Sequence, residues 1–282
     1  MRLEDGRESG NVEDRRGSRR GGLAIGGGIG SVVLVVIALL LGVDPAVMLD
    51  QAGMTQGGAP AATERSERAA PPANDEGARF VRRVLAETED VWNPIFAARG
   101  QRYVEPRLVL FTGAVDSACG MAQAAVGPFY CPGDSRVYID LDFLAELQRR
   151  LGAPGDFAAA YVIAHEVGHH VQNQLGLLAR AEGGGAGANA RQVRIELQAD
   201  CLAGLWARRA QDARGILEPG DIEEGLNAAA AVGDDRMQQS AGRRVTPDSF
   251  THGSAAQRMR WFKTGLDTGR LEACDTFATN AR

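Results

Sequence analysis

From Gly21 to Val43 the chain carries no charged side chain: GGLAIGGGIGSVVLVVIALLLGV. About 20 apolar residues cross the roughly 30 Å hydrocarbon core of a bilayer as a helix. This run, densest from Ser31 to Leu41, meets that length. A buried helix of a soluble domain would carry a polar stripe. A cleaved signal would have a shorter apolar core and a small-residue cleavage site, whereas here a charged leader of 20 residues comes first. Arg15, Arg16, Arg19 and Arg20 stand before the run, and no Lys or Arg follows until Arg65. The positive-inside bias therefore predicts residues 1–20 as a cytoplasmic leader, 21–43 as a single-pass anchor in the lipid bilayer, and the rest of the chain outside.

Residues 44–77 read as a flexible linker. Asp44-Pro45 stops the apolar run, and QGGAPAATERSERAAPPANDEG is rich in Ala, Pro, Gly and charge. Such a segment buries too little to offset the entropy of ordering it. Residues 78–282 are the length of one domain. Apolar periodicity predicts helices over 80–98, 143–150, 157–175, 190–211, 221–232 and 254–265, and strands over 106–113 and 135–142. The expected class is α+β: a mostly helical domain with a small sheet beside the long helices, preceded by one N-terminal transmembrane helix.

The formal charge of -5 argues against a nucleic-acid partner, since such proteins carry a basic excess. Only four histidines occur, and His165, His169 and His170 fall within six residues. His165-Glu166-Val167-Gly168-His169 is an H-E-x-x-H pattern on a predicted helix. There His165 and His169 stand about 40° apart on one face, so both imidazoles can meet one ion. Glu166, about 100° round from His165, can reach a water on that ion rather than the ion itself. Two nitrogens and a neighbouring carboxylate are what a zinc hydrolase needs. A catalytic zinc takes a third protein ligand, from His, Glu or Asp, and keeps one position open. His252 is one candidate and Glu196 the better one. Glu196 and Asp200 share a face of an apolar helix, where buried carboxylates need a partner. Asp200 can then hold a ligand histidine by its other ring nitrogen. His252, Tyr161 and Arg258 are the candidates to stabilise an oxyanion. His170 points away from the shared ligand face and is read as a supporting or packing residue. Gly127–Tyr130, beside the second strand, can offer an edge to an extended peptide.

His165–Gln172 (HEVGHHVQ), Glu196–Cys201 (ELQADC) and Thr251–Ser254 (THGS) resemble the neutral zinc metallopeptidases of bacteria, membrane-anchored members of the zincin superfamily. The leader Asn11–Gly17 (NVEDRRG) and Gly127–Pro132 (GPFYCP) resemble them too. The resemblance covers nearly the whole chain except the linker. It implies a zincin-like fold, one Zn²⁺ held by His165, His169 and Glu196, Glu166 as general base, and a peptide or protein substrate. It also implies the inner membrane of a bacterium, with the catalytic domain on its outer side. A second reading keeps the fold without catalysis, as an envelope protein that binds or assists others. Cys119, Cys131, Cys201 and Cys274 all follow the anchor, an even number suited to an oxidising compartment. Of their three pairings, Cys119–Cys131 and Cys201–Cys274 are expected, and the absence of C-x-x-C speaks against thiolate zinc sites.

Overall fold

The computed structural model describes residues 1–16, 75–123, 127–150, 155–181 and 187–278. The expected anchor at 21–43 and nearly all of the expected linker lie outside these residues. Among the described residues no helix is long and apolar enough to cross a membrane.

Four strands form the main sheet: β1 (Val12–Asp14), β2 (Arg107–Phe111), β5 (Phe129–Cys131) and β6 (Arg136–Asp140), in the order β1-β2-β6-β5. β1 and β6 pair parallel to β2, and β5 runs antiparallel to β6 as an outer strand. A hairpin of β3 (Ala114–Ser117) and β4 (Gly120–Gln123) stands apart. β2 and β6 are buried on both faces, as their unbroken apolar runs require. Leu108, Leu110, Val137 and Ile139 face the main helical core. Val109, Phe111 and Tyr138 face the opposite way, into a smaller core with Val115 of the hairpin. The disulfide Cys119–Cys131 ties that hairpin to β5.

The helices are α1 (Glu76–Ala98), α2 (Leu141–Arg150), α3 (Asp156–Gln174), α4 (Ala188–Arg214), α5 (Asp221–Ala231), α6 (Asp234–Ser240) and α7 (Ala255–Thr268). The mixed α+β class is as expected, and the long helices fall within a few residues of their predicted bounds. Asp75 caps α1, its carboxylate accepting from the Ala78 amide. At α7, Ser254 and Gln257 cap each other reciprocally. α3 is buried on nearly every face, because α1, α4, α5 and the sheet surround it. α4 and α7 lie in the closest helix contact. Cβ atoms added at Gly204 or Gly265 would fall 2.0 and 1.9 Å from carbonyl oxygens of the other helix. Cys201–Cys274 closes the same crossing.

Residues 1–16, read from the sequence as a charged leader, pack against the domain. β1 extends the sheet through pairing with Leu108–Leu110. Met1 and Leu3 are buried in the main core. The Met1 ammonium lies 2.9 Å from Asp156 and 3.2 Å from Glu218. Arg7 bonds Glu89 and Asp90, and Ser9 Oγ donates to Glu89 over 2.6 Å. Residues 1–16 and the helix that starts at Glu76 thus pack in one body.

Candidate metal centre

α3 carries His165, Glu166 and His169, and α4 carries Glu196 and Asp200. The two helices meet where α3 has Gly168. A Cβ there would lie 3.1 Å from the Ala199 carbonyl oxygen, tighter than ordinary contact. The absence of a side chain at Gly168 therefore lets Glu196 reach the histidine pair. His165 Nε2 stands 3.3 Å and His169 Nε2 3.5 Å from the same Glu196 oxygen. Ligand atoms of His165, His169 and Glu196 all lie within 4.8 Å of one another.

The far side of each imidazole is occupied. His165 Nδ1 is 2.9 Å from Asp200 and His169 Nδ1 is 2.8 Å from Gln172 Oε1. Both acceptors favour the proton on Nδ1, which leaves the Nε2 lone pairs directed at the shared point. Two neutral imidazole nitrogens and one carboxylate fit zinc's preferred donors and leave a fourth position open. Without a cation there, burial pushes both imidazoles down, yet the carboxylates more than offset it. Asp200 and Glu196 hold His165 up at about 9, and Glu196 raises His169. Burial opposes the charge on Glu196, but the two histidines hold its carboxyl well below the usual range. The buried carboxylates thus call for positive charge at this point.

A family profile described as "Putative neutral zinc metallopeptidase" matches residues 1–277. The chain belongs to that family. Its relatives include the Escherichia coli K12 protein printed as "Uncharacterized protein YpfJ". The two are 46% identical over 98% of this chain and 99% of that one. They also include "Uncharacterized protein Rv2575" of Mycobacterium tuberculosis H37Rv, 47% identical over 86% of this chain and 85% of that one. No solved structure matches the chain.

In this metallopeptidase-family chain Glu166 lines a cavity of about 380 Å³ beside the histidines, with Phe129, Phe143 and His252. A second cavity of about 480 Å³ opens on the other side of His169 and Glu196, between Tyr130 and Gln192. Tyr130 of the outer strand β5 borders both. His252 is half-exposed, and its Nδ1 lies 3.1 Å from Asp234. The other Asp234 oxygen accepts from the amides of Thr251, His252 and Gly253, at 2.7 to 3.0 Å. Gly253 has φ +97°, a conformation that only glycine adopts without strain. The hydrogen bond that His252 donates to the Asp234 carboxylate raises its pKa against partial burial, and the nearby Glu196 adds to it.

Tyr161 and Arg258 border the cavity that Glu166 lines, but their polar atoms are already engaged. Both turn onto Asp200, behind His165. Tyr161 Oη donates to Asp200 over 2.5 Å, and the Arg258 guanidinium donates two bonds of 2.9 and 2.8 Å. They are supports for the carboxylate rather than free donors. His170 is a packing residue, held between Tyr130 Oη at 3.1 Å and the Val104 carbonyl at 2.6 Å. Gln172 and Asp234 escape a sequence reading, because a neutral amide and a distant aspartate carry no spacing signal. Only the position of Gln172, three residues past His169, could have pointed to it. A second acidic group, Asp156, Asp221 and Glu224, already has its cation: the Met1 ammonium stands 2.9 Å from Asp156 and 3.5 Å from Asp221. The two expected disulfides are both formed.

Proposed function

We propose that this chain hydrolyses peptide bonds, with His165, His169 and Glu196 holding one zinc ion and Glu166 serving as general base. One observation carries the reading: two histidine Nε2 atoms converge on one Glu196 oxygen, each ring being fixed by a second acceptor on its far side. A zinc ion held there would polarise the scissile carbonyl and lower the pKa of a bound water to about 7. Glu166 takes the proton from the attacking water and hands it to the leaving amine. His252, protonated beside Asp234, presents its free ring edge to the cleft as a donor to the developing oxyanion. Asp200, backed by Arg258 and Tyr161, keeps His165 in the tautomer that leaves Nε2 unprotonated. β5 is an outer strand along the cleft, so an extended substrate can align beside it by backbone hydrogen bonds. Cavities on both sides of the three ligands suit a substrate that continues in both directions, hence an internal peptide bond of a protein.

The test compares wild-type full-length chain with Glu166→Gln, both loaded with zinc, on an unfolded protein substrate. Metal content should be equal in the two, because Glu166 is not a ligand. Cleavage should fall by about 10²-fold or more and vanish with a chelator. Equal cleavage by the two proteins would refute the mechanism.

A further inference from the structure

Each of the three converging side chains has a partner behind it, and the third partner differs in kind from the other two. Asp200 and Gln172 Oε1 accept at the far nitrogens of His165 and His169. Behind Glu196 stands a donor instead: Gln192 Nε2 gives a hydrogen bond of 3.0 Å to Glu196 Oε1. An ionised carboxylate only accepts, so the nitrogen of the Gln192 amide, not its oxygen, faces it. The pair lies one turn apart on α4, at the i, i+4 spacing where helical side chains meet. Glu196 thus uses its two oxygens differently. Oε2 is the atom 3.3 Å from His165 Nε2 and 3.5 Å from His169 Nε2, while Oε1 is held by Gln192.

This division bears on coordination. A carboxylate binds a metal ion through one oxygen or clasps it with both. A catalytic zinc keeps one position open beside its three protein ligands, and a glutamate that clasped the ion would occupy it. A donor on Oε1 draws electron density from that oxygen and fixes the side chain with Oε2 toward the histidines. The Gln192 amide does this while neutral, so it adds no positive charge beside the cation. We propose that Gln192 is a positioning residue that confines Glu196 to binding metal through Oε2 alone and so keeps the fourth position free. The inference rests on the ligand assignment of His165, His169 and Glu196 proposed above, but not on peptidase activity.

The test loads the full chain with Co²⁺, because coordination geometry is diagnostic for a transition metal. Visible absorption by Co²⁺ is strong in a four-coordinate site and weakens when a fifth ligand moves the ion toward a centrosymmetric field. Wild type, Gln192→Met and Gln192→Lys are compared at full metal occupancy. Met fills a similar space without a donor, and Gln192 is only partly buried, so its loss does not empty the core. Gln192→Met should lose absorption per cobalt. Gln192→Lys, which restores an N–H donor one turn from Glu196, should keep the wild-type spectrum. A wild-type spectrum from Gln192→Met would overturn the proposal, and so would an equal loss in both variants. Glu196→Ala tells two failures apart. An unchanged spectrum there refutes the ligand assignment and the proposal with it. A changed spectrum there, with Gln192→Met like wild type, refutes the proposal alone.

Discussion

Asp200 satisfies three residues with two oxygens and has no exposure to solvent. Tyr161, Arg258 and His165 all bond it, so its charge is shared between a buried cation and a ligand histidine. Removing that charge in Asp200→Asn should have two separable effects. Zinc affinity should fall about 10- to 100-fold, the usual effect of losing a carboxylate behind a ligand histidine. Stability should drop by about 3–5 kcal/mol, because Arg258 is left buried without its counter-charge. Chelator competition measures the first and denaturant unfolding of the apoprotein the second. Wild-type zinc affinity in the variant would show that His165 needs no such support. His252 gives a pH signature. Its raised pKa means the imidazolium persists above 6.5 and is lost as pH rises through the folded value. If the imidazolium is the oxyanion donor, kcat/KM should decline on that alkaline limb. Asp234→Asn, which removes the largest raising influence, should move the limb to lower pH. A limb that stays in place would remove His252 from the mechanism. The grouping of His165, His169 and Glu196 was legible in the sequence because H-E-x-x-H and E-x-x-x-D are helical spacings within single elements. The roles of Tyr161 and Arg258 were not, since the contact to Asp200 joins three helices.

Helix crossings decide whether these residues meet. Gly204 and Gly265 bring α4 and α7 so close that a Cβ on either would penetrate the other backbone. Flexible side chains cannot yield to relieve this, because the atoms met are carbonyl oxygens and amide nitrogens. Gly265→Ala should therefore cost more than the 1–3 kcal/mol typical of an overpacked core. It should also weaken zinc binding, since α7 holds Arg258 against Asp200. Thermal unfolding and metal titration of the one variant check both. Unchanged stability would mean that the crossing is looser than its geometry. The long helices were readable from apolar periodicity, and so were the cores of β2 and β6. β1, β5 and the β3–β4 hairpin were not. Each is three or four residues long, too short for alternation to register. β1 reads Val-Glu-Asp and is a strand only because Leu108–Leu110, far along the chain, supplies its hydrogen-bond partners.

For the whole molecule, the docked leader makes stability depend on pH at both extremes. Glu13 and Asp14 are carboxylates of the leader, Glu13 also pairing with Arg136 of β6, and Asp75 pairs with the leader's Arg16. Arg15 bonds Glu13 and holds its carboxyl below 4.5. Burial pushes Asp14 and Asp75 up, but bonds from Arg16 and from backbone amides leave both below 3.8. Carboxyls depressed by folding stabilise the docked state above their unfolded values, and the benefit disappears as pH falls through the lower folded ones. The Met1 ammonium has the opposite sign. Burial lowers it, but Asp156, Glu218 and Asp221 raise it above 8.0. Its contribution is complete below 8.0 and disappears as pH rises through the folded value. Hydrogen-exchange protection of Val12–Asp14, corrected for intrinsic rates, should therefore plateau between about pH 5 and about pH 8 and fall on both sides. Asp156→Asn should weaken the plateau on its alkaline side and leave the acid limb in place, because Asp156 faces the ammonium and not the arginines. Protection that stays flat from about pH 3 to about pH 10 would mean that β1 is held by its backbone and by Met1 and Leu3 in the core alone. The two limbs separate the two ends of the leader: the acid limb reports the carboxylates paired with Arg15 and Arg16, and the alkaline limb reports Met1.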